Sequence, residues 1–312
     1  MLAAPPPTCP ICKDSHTRYH RSCTDRRRGL AGAWDFWACS RCGTLFQHPT
    51  PTFAQLQSYY ATYSTSGEAN PDLPVDRRAE RLRRWYHRLS GDVDPRDFVP
   101  ATSGIRVLDY GCGTAPYLAH FRARGANISG AEIAPAIVAT YRAAGLDVVL
   151  IEKMEQIPFP DHEFEIVYMM QVLEHIADPH GFLNEVRRIL KPAGAFYLAV
   201  PNARSVWRRV FGANWVSGWF APFHLFVYSL TGIRVLAQLH GFDIVRSWSA
   251  TSDSWFRLNL KALLYRGNNS LDFTPKMWLD RALVRATLLS LLRLIEAPAG
   301  ERDCLVVELK KC

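Results

Sequence analysis

The chain of 312 residues has no apolar run long enough to span a membrane, and it begins without a secretory signal. Residues 1–7 carry neither a basic start nor an apolar stretch. With 48% hydrophobic and 12% aromatic residues, the chain can bury one full core and a smaller appendage. These properties predict a globular enzyme located in the cytoplasm.

Acidic residues are in the minority, because 37 lysines and arginines face 29 aspartates and glutamates, which gives a formal net charge of +8. Such a balance is compatible with a nucleic-acid partner. The basic residues, however, stand in short groups scattered along the chain, such as residues 26–28, 77–78 and 208–209. Most of them are therefore expected on solvated surfaces, and charge alone does not identify the partner.

A pattern of strand, turn and helix lies near the middle of the chain. The apolar residues 105–108 predict a buried strand, which ends in Asp109 and is followed by Gly111 and Gly113. Glycine allows the backbone conformation of a tight turn and the close approach of a ligand. A second apolar run ends at Glu132, whose carboxylate would accept hydrogen bonds from both hydroxyls of a ribose.

Either a dinucleotide or S-adenosylmethionine would suit such a site, and two residues favour the second. A dinucleotide fingerprint needs a third small residue where this chain has Pro116. The carboxylate of Asp109 would repel a pyrophosphate, but it suits a ligand that carries an ammonium group and a sulfonium. The pattern therefore predicts S-adenosylmethionine as the cofactor.

Further motifs follow in a fixed order. A predicted strand over residues 164–170 is followed by Gln171, Glu174 and His175. Next come a predicted helix over 181–190, a helix stop at 191–194 and a strand over 195–200. This order resembles the class I S-adenosylmethionine-dependent methyltransferases, notably the small-molecule group, over about residues 104–250. The resemblance implies an α/β Rossmann-like fold, with a mostly parallel seven-stranded sheet. Its sixth strand would be 242–248 and its antiparallel last strand 304–309.

The resemblance also implies a set of cofactor-binding residues that follow the predicted strands: Asp109, Gly111, Gly113, Glu132, Ile133, Met154, Glu155 and Gln171. The first three would hold the amino-acid half of the cofactor, and Glu132 the ribose. Ile133 would pack on the adenine, with Met154 and Glu155 at its edge. Related enzymes often place an acidic residue where this chain has Lys153, so the acidic contact is absent or shifts to Glu155.

Two cysteine pairs near the start have the spacing of a metal site. Cys9 and Cys12 form the first pair, and Cys39 and Cys42 the second. Each pair can bring two thiolates to one tetrahedral ion, which predicts a structural zinc ribbon over residues 1–50. Disulfides would need an oxidising compartment, and a redox role would need a thioredoxin-like context that the sequence lacks.

A ribbon followed by a proline-rich step and a tyrosine-bearing segment resembles a subgroup of methyltransferases that act on sugars, polyketides and lipid-linked intermediates. Residues 51–103 would form a linker with a helix over 53–60 and an amphipathic helix over 77–89. The second helix is either a lid over the cofactor or a packing helix between two domains. Residues 104–312 would form the methyltransferase domain.

Two histidines are candidates for the chemistry. His175 follows the fourth strand. At this place some quinone-precursor O-methyltransferases hold a divalent metal with the motif Glu-x-x-Glu-His. In this chain Gln171 replaces the first glutamate of the motif, so a catalytic metal is not favoured. His224 lies in a segment that resembles the P-x-H-L-x-x-[FY]-[ST] signature of the zinc-ribbon subgroup of methyltransferases. In some sugar C-methyltransferases the histidine of this region acts as a base. His224 is therefore the predicted general base. Both histidines could instead hold their loops, with Ser229 capping the next helix.

Two apolar segments in the second half bear on the acceptor. The aromatic insert over residues 203–228 could wall an acceptor pocket, pack on itself or touch lipid. The amphipathic helix over 275–296 could lie in a membrane interface or pack on its own enzyme.

The leading hypothesis is methyl transfer to a small-molecule or lipid-linked acceptor (a sugar, polyketide or quinone-like compound), at an oxygen. There are two alternatives: an RNA methyltransferase that binds phosphates through its ribbon, and a sugar C-methyltransferase. The chain lacks an Asn-Pro-Pro-Tyr motif for amino groups on bases, which disfavours a nucleic-acid acceptor. A binding module that has lost the chemistry is disfavoured by the intact cofactor residues.

Overall fold

Two β-sheets organise the chain in the computed structural model, which describes residues 5–62, 81, 82, 84, 85, 87, 93–114, 117–153, 155–264 and 301–312. The strands are β1 (Thr17–Cys23), β2 (Trp34–Cys39), β3 (Leu45–Gln47), β4 (Arg106–Tyr110), β5 (Asn127–Glu132), β6 (Asp147–Leu150), β7 (Phe164–Met170), β8 (Leu190–Pro201), β9 (Phe226–Val227), β10 (Phe242–Ala250) and β11 (Cys304–Lys311). The helices are α1 (Phe53–Thr62), α2 (Tyr117–Ala123), α3 (Pro135–Ala143), α4 (Pro179–Ile189), α5 (Val206–Phe211), α6 (Val216–Trp219), α7 (Leu230–Leu239) and α8 (Asp253–Leu264).

The larger sheet has seven strands in the order β10-β11-β8-β7-β4-β5-β6. The pairs β8/β7, β7/β4, β4/β5 and β5/β6 are parallel, whereas β11 is antiparallel to both β8 and β10. This arrangement confirms the predicted Rossmann-like methyltransferase fold with its antiparallel last strand. The strand order reverses beside β4, and in such sheets the crevice at the carboxyl ends of the strands is where ligands bind.

One strand begins earlier than the sequence indicates. The stop predicted over residues 191–194 lies inside β8, because Leu190 already pairs with Phe164. The register shifts between Phe164 and Ile166, and Ala193 has a positive φ of 57°. The residues that resemble a helix stop therefore form an irregularity within the strand, which then continues to Pro201.

The smaller sheet has the order β1-β2-β3-β9 and is antiparallel throughout. Its first three strands lie in the predicted ribbon, whereas β9 comes from the segment that follows the aromatic insert. Leu45 pairs with Val227, and Phe46 pairs with Phe226. The ribbon sheet is thus completed by a strand that is distant in the sequence.

Gln47, at the end of β3, stabilises the junction between β3 and β9. Its side-chain amide donates hydrogen bonds to the carbonyl oxygens of Pro222 (3.0 Å) and His224 (2.8 Å). Its backbone N–H donates to the carbonyl of Leu225 at 2.8 Å. Gln47 is only 1% exposed, so these three bonds form where water does not compete. The ribbon therefore holds the loop that carries His224.

Ser229 makes a second link between the ribbon and the larger sheet. Its hydroxyl donates to the carbonyl of Cys42 and accepts a hydrogen bond from the N–H of Gly232 at 2.9 Å. The second bond caps α7, as the sequence indicated.

The aromatic insert packs inside the protein. Its eight large aromatic side chains are all buried: Trp207, Phe211, Trp215, Trp219, Phe220, Phe223, Phe226 and Tyr228. Trp219 lies 5.1 Å from Phe36 of the ribbon, and Trp207 lies 5.0 Å from Phe256 of α8, measured between ring centroids. Four of these rings therefore pack between the smaller sheet and α8, which favours the self-packed interpretation over contact with lipid, while Phe220 also lines a cavity.

Within the described part of the chain, no helix is long and apolar enough to cross a membrane. The predicted amphipathic helix over residues 275–296 lies outside the described residues. Of the predicted helix over 77–89, residues 81, 82, 84, 85 and 87 are described, and all of them are helical.

The junction at Gln47 can be tested by stability. Replacing Gln47 with leucine leaves two buried carbonyl groups without their donor, so we expect Gln47→Leu to lower the free energy of unfolding by about 1–3 kcal/mol. Urea denaturation measures this change. Gln238→Leu, at an exposed position of α7, is the control and should change stability by less than about 0.5 kcal/mol. Equal effects of the two substitutions would contradict the assigned role.

Candidate active site

The loop after β4 is held closely against its neighbours. Gly111 has a positive φ of 74°, and a Cβ atom added to it would lie 2.5 Å from a methyl carbon of Val172. Both conditions exclude other residues at this position. The N–H of Gly111 donates to the carbonyl of Ala131 at 2.8 Å, so the loop is anchored to the end of β5.

Glu132 supplies a fixed carboxylate at the end of β5. One oxygen accepts a hydrogen bond from the N–H of Gly113 at 2.9 Å, and the other accepts from the N–H groups of Ile133 (2.8 Å) and Ala134 (3.0 Å). The side chain is buried. Glu132 therefore joins the two loops that the sequence assigned to the cofactor.

Asp109 ends β4 with a fully buried carboxylate. Burial, together with the nearby charge of Glu132, raises the pKa of Asp109 to about 7, against a partial lowering by the hydroxyl of Tyr168. The Oδ2 atom is buried and has no hydrogen-bond partner among the described residues. A carboxylate in this state destabilises the empty protein and is suited to a cationic ligand group.

Two adjoining cavities, of about 540 and 520 Å³, form one cleft over the carboxyl ends of the strands. Both are lined by Gly111 and Gln171. Most of the predicted cofactor residues meet here. The first cavity is lined by Asp109, Gly111, Gly113 and Gln171, and the second by Gly111, Glu132, Ile133 and Gln171.

Two predicted cofactor residues are placed differently. Glu155 is half-buried and lies near enough to Tyr110 for its charge to help raise the pKa of that phenol, but it does not line either cavity. Met154 lies outside the described residues.

Gln171 has an unusual conformation for a residue other than glycine, with a φ of +58°. Its backbone N–H donates to the carbonyl of Ala199 at 2.8 Å, and its side-chain amide reaches the sulfur of Cys304 at 3.3 Å. The amide oxygen is buried without a hydrogen-bond partner in the described structure. Strained residues of this kind cluster at functional sites, which fits its position between the two cavities.

His175 and His224 lie together in the second cavity, with their ring centroids 4.7 Å apart. Nδ1 of His175 is 2.8 Å from the carbonyl oxygen of Phe223, and Nδ1 of His224 is 2.8 Å from that of Gly218. A carbonyl only accepts, so each Nδ1 carries the hydrogen. In the neutral rings, each Nε2 consequently carries a lone pair.

Burial controls the charges of this pair and of Glu174. It lowers the pKa of His175 to about 4, and burial together with the neighbouring His175 lowers the pKa of His224 well below its usual value. Burial also raises the pKa of Glu174 to about 8. Oε1 of Glu174 lies 3.8 Å from Nε2 of His224. A proton that arrives on His224 would be stabilised by Glu174 in its ionised form, which predominates above about pH 8.

The same three side chains could hold a cation. Glu174, His175 and His224 each offer a ligand atom, and these atoms lie within 4.8 Å of one another. One carboxylate and two imidazoles form a donor set that divalent transition metals accept. Gln171, which the sequence placed in a metal motif, is not part of this cluster. In the sequence, Glu174 stands at the second glutamate of the Glu-x-x-Glu-His motif, but it was not among the predicted site residues.

The four cysteines of the ribbon converge as predicted. The sulfurs of Cys9 and Cys42 are 3.8 Å apart, and those of Cys12 and Cys39 are 3.5 Å apart. All four sulfurs lie within 4.8 Å of one another, and all four thiols are free. Sulfurs bound tetrahedrally to zinc would be about 3.8 Å apart. The cluster therefore fits a zinc ion.

Three cations that the sequence did not single out also line the second cavity: Arg27, Arg257 and Lys261. Arg257 and Lys261 share one face of α8 with Ser254 and Leu258, a spacing that the sequence could have revealed as a helix face. Arg27 belongs to a basic triplet that looked like part of a solvated surface.

Comparisons with known proteins agree with this geometry. A family model described as a methyltransferase domain matches residues 75–247. The ubiquinone biosynthesis O-methyltransferase of Maricaulis maris is 32% identical over 127 residues, which is 37% of this chain and 49% of that protein. That of Xanthomonas oryzae pv. oryzae is 30% identical over 145 residues, or 41% of this chain and 60% of that protein. The chain thus spans about half the length of the curated relatives it matches.

Among solved structures, an S-adenosylmethionine-dependent methyltransferase from Archaeoglobus fulgidus superposes with a TM-score of 0.49 at 15% identity, covering 74% of this chain and 99% of that one. The family model covers more than half of this chain, and the sheet order and cofactor loops are those expected of the family. The chain therefore belongs to the class I S-adenosylmethionine-dependent methyltransferases.

Proposed function

We propose that the protein methylates a hydroxyl group of a small-molecule or lipid-linked acceptor, which is quinone-like or a sugar or polyketide. The observation that carries this proposal is the pair of His175 and His224 in the cavity next to Gly111 and Glu132, with the buried Glu174 3.8 Å from His224. The relatives named for ubiquinone biosynthesis support an oxygen acceptor of the quinone type.

The residues that line the two cavities fit S-adenosylmethionine. The unpartnered oxygen of Asp109 would bind the ammonium group of the cofactor, and Glu132 would accept from the ribose hydroxyls. Ile133 and Ile151 offer an apolar surface for the adenine. When bound, the cofactor supplies a methyl group that is activated by the sulfonium charge.

His224 is the general base of the proposal. The carbonyl of Gly218 fixes its tautomer, so the lone pair on Nε2 is ready to accept the proton of the acceptor hydroxyl. The ionised form of Glu174, 3.8 Å from Nε2 of His224, would stabilise the resulting positive charge. Val172 and Phe220 line the cavity and limit the access of water. His175 packs against His224 at the wall of the cavity and orients the His224 ring.

The acceptor class is tested by incubating the purified protein with methyl-labelled S-adenosylmethionine and an extract of its source cells. The products are then separated into RNA, lipid-soluble and small polar pools. Label in the lipid-soluble or small polar pool supports the proposal, and mass analysis of the product distinguishes O-methylation from C-methylation. Label in RNA would overturn it.

We also propose that the four-cysteine cluster holds a structural zinc. The sulfur spacing fits the ion, and the cluster lies at the base of the strand that holds the His224 loop. A tetrahedral ion bound by four thiolates has no open coordination position, so its role is to fix the ribbon.

Asp109 links cofactor binding to pH. The folded apoprotein holds this carboxyl protonated up to about pH 7, whereas its ordinary pKa is 3.8. Binding of an ammonium ligand requires the ionised form, so we expect affinity for S-adenosylhomocysteine to rise between pH 5.5 and about pH 7.5. Asp109→Asn should weaken binding about ten- to a hundredfold at pH 7.5 and flatten this pH dependence. Calorimetric titration at each pH measures both.

The same substitution should stabilise the empty protein. Because the pKa of Asp109 is raised on folding, its contribution to stability falls as pH rises from about 4 to 7. We expect Asp109→Asn to raise the free energy of unfolding by about 1–3 kcal/mol more at pH 8 than at pH 5. If Asp109→Asn bound the cofactor as tightly as the natural protein does, Asp109 would not be part of the cofactor site.

Removal of the base should affect turnover alone. His224→Asn keeps a donor for the carbonyl of Gly218 but removes the acceptor at Nε2, so we expect kcat to fall about a hundredfold or more. Affinity for S-adenosylhomocysteine should be unchanged. His16→Asn, at an exposed histidine of the ribbon, is the matched control. Unaltered kcat in His224→Asn would leave His224 a structural role.

The metal content of the ribbon can be measured directly. We expect about one zinc per chain in the purified protein by elemental analysis, and its loss in Cys12→Ser. Cys312→Ser, at an exposed cysteine, is the control and should retain the metal. A folded natural protein without bound metal would rule out the zinc ribbon.

A further inference from the structure

Four arginines from two distant segments of the chain lie together at the surface. Arg18 and Arg21 come from β1 of the ribbon, and Arg208 and Arg209 come from α5 of the aromatic insert. Arg18 and Arg209 are exposed, whereas Arg21 and Arg208 are half-buried. These four residues are called the arginine cluster below.

His20 of β1 joins the two segments. Nη1 of Arg208 lies 3.1 Å from Nε2 of His20, which is 188 residues away in the sequence. A guanidinium only donates, so Nε2 of His20 accepts this hydrogen bond. Arg21 also reaches α5, because a Cβ atom added to Gly212 at the end of that helix would lie 3.9 Å from both terminal nitrogens of Arg21. The tertiary structure therefore sets β1 beside α5.

The hydrogen bonds of the cluster are made to neutral groups. Nε of Arg208 donates to the carbonyl of Ala203 at 2.7 Å, and Arg209 donates to the carbonyl of Arg204 at 3.5 Å. Within the part of the chain that the structure describes, none of the four arginines forms a salt bridge. These contacts hold the side chains in place and leave their positive charges uncancelled.

Carboxylates in the neighbouring segments are engaged elsewhere. Glu301 forms a salt bridge of 2.9 Å with Arg204, which is not a member of the cluster. Asp25 accepts hydrogen bonds from three backbone N–H groups of its own loop. Asp35 precedes Phe36 in β2, and Phe36 faces the aromatic insert, so the alternation of the strand turns Asp35 to the other side of the sheet.

The charges of the cluster act on one another and on His20. Burial lowers the pKa of His20 to about 4, with a contribution from the charges of Arg208, Arg21 and Arg18. Burial and the charges of Arg209 and Arg21 also lower the pKa of Arg208. Like charges that the fold holds together cost free energy, and an anion placed beside them would recover it. The cluster is therefore suited to an anionic partner.

Two observations favour a phospholipid surface over nucleic acid as this partner. Val210 follows Arg209 in α5 and is 62% exposed, and an aliphatic side chain beside cations suits the interface of an anionic bilayer. Single strands of nucleic acid stack their bases on accessible aromatic rings, whereas the rings of this region are buried, namely Trp207, Phe211 and Trp219.

The cluster adjoins the cavity that contains the two histidines. The guanidinium carbon of Arg21 lies 5.4 Å from the centroid of the Trp219 ring. The next residue, Phe220, lines the 520 Å³ cavity together with His175 and His224. A surface bound by the cluster would therefore lie near the proposed acceptor site.

We propose that the arginine cluster and Val210 dock the protein on a phospholipid surface of negative charge. The phosphates of the headgroups bind the exposed guanidinium groups of Arg18 and Arg209, and Val210 enters the interface. The inference goes beyond the proposed function and does not depend on which acceptor is methylated.

The proposal is tested by sedimentation of the full-length protein with vesicles. One set contains equal amounts of phosphatidylglycerol and phosphatidylcholine, and the other contains phosphatidylcholine alone. We expect binding to the anionic vesicles only, and its loss when the ionic strength is raised from about 0.1 M to about 1 M. The double variant Arg18→Gln/Arg209→Gln should bind about twentyfold more weakly, and Val210→Ser about fivefold more weakly.

The matched control is Arg124→Gln/Arg234→Gln, which removes the same charge at two exposed arginines outside β1 and α5 and should bind the vesicles normally. Affinity for S-adenosylhomocysteine should be equal in all of these proteins, which shows that the variants are folded. If the natural protein does not bind anionic vesicles, or if the two double variants lose binding equally, the docking surface is wrong. Binding of single-stranded RNA through Arg18 and Arg209, without binding of vesicles, would assign the cluster to nucleic acid and overturn the proposal.

Discussion

The pairing of β3 with β9 is the constraint on which the rest of the site depends. Two short strands carry it, and the buried amide of Gln47 reinforces it by donating to the carbonyls of Pro222 and His224. Through this junction the ribbon holds the loop of the proposed base, while Ser229 ties Cys42 to the cap of α7. The ribbon is therefore a structural part of the catalytic half of the protein, and a disturbance at the cysteine cluster would reach His224 through a few hydrogen bonds.

The cleft combines groups that are costly to bury. Asp109 and Glu174 are carboxyls whose pKa values are raised by burial, and His175 and His224 are imidazoles kept neutral by the same effect. The two carboxyls lower the stability of the empty protein near neutral pH, and the two imidazoles lower it below about pH 6.5, because each group would ionise more readily in water. A cationic ligand group that pairs with Asp109 would recover part of this free energy. The arrangement accounts for binding and chemistry together, at the expense of stability.

The sequence predicted the parts of the structure that local patterns specify. The glycines after β4, the carboxylate at the end of β5 and the two cysteine pairs each have a spacing that predicted where they lie in the structure, and the larger sheet followed from their order. The sequence did not predict β9, because two residues carry no periodicity and their partner is chosen by tertiary packing. It also missed the convergence of Arg27 with Arg257, since residues from separate elements meet through the fold alone. The early start of β8 was missed because Lys191 and Pro192 resemble a helix stop, whereas pairing with β7 overrides that preference.

The long connection between Gln47 and Pro222, which are 175 residues apart, has a consequence for synthesis. As the chain leaves the ribosome from its N-terminus, β1, β2 and β3 emerge long before β9 exists. The edge of β3 that later pairs with β9 stays open during that time, and an open edge is a site for unwanted pairing. The four cysteines of the ribbon can come together early, but the ribbon sheet acquires its fourth strand only after most of the larger sheet has been synthesised. Completion of the active site is thus among the last events in the maturation of this chain.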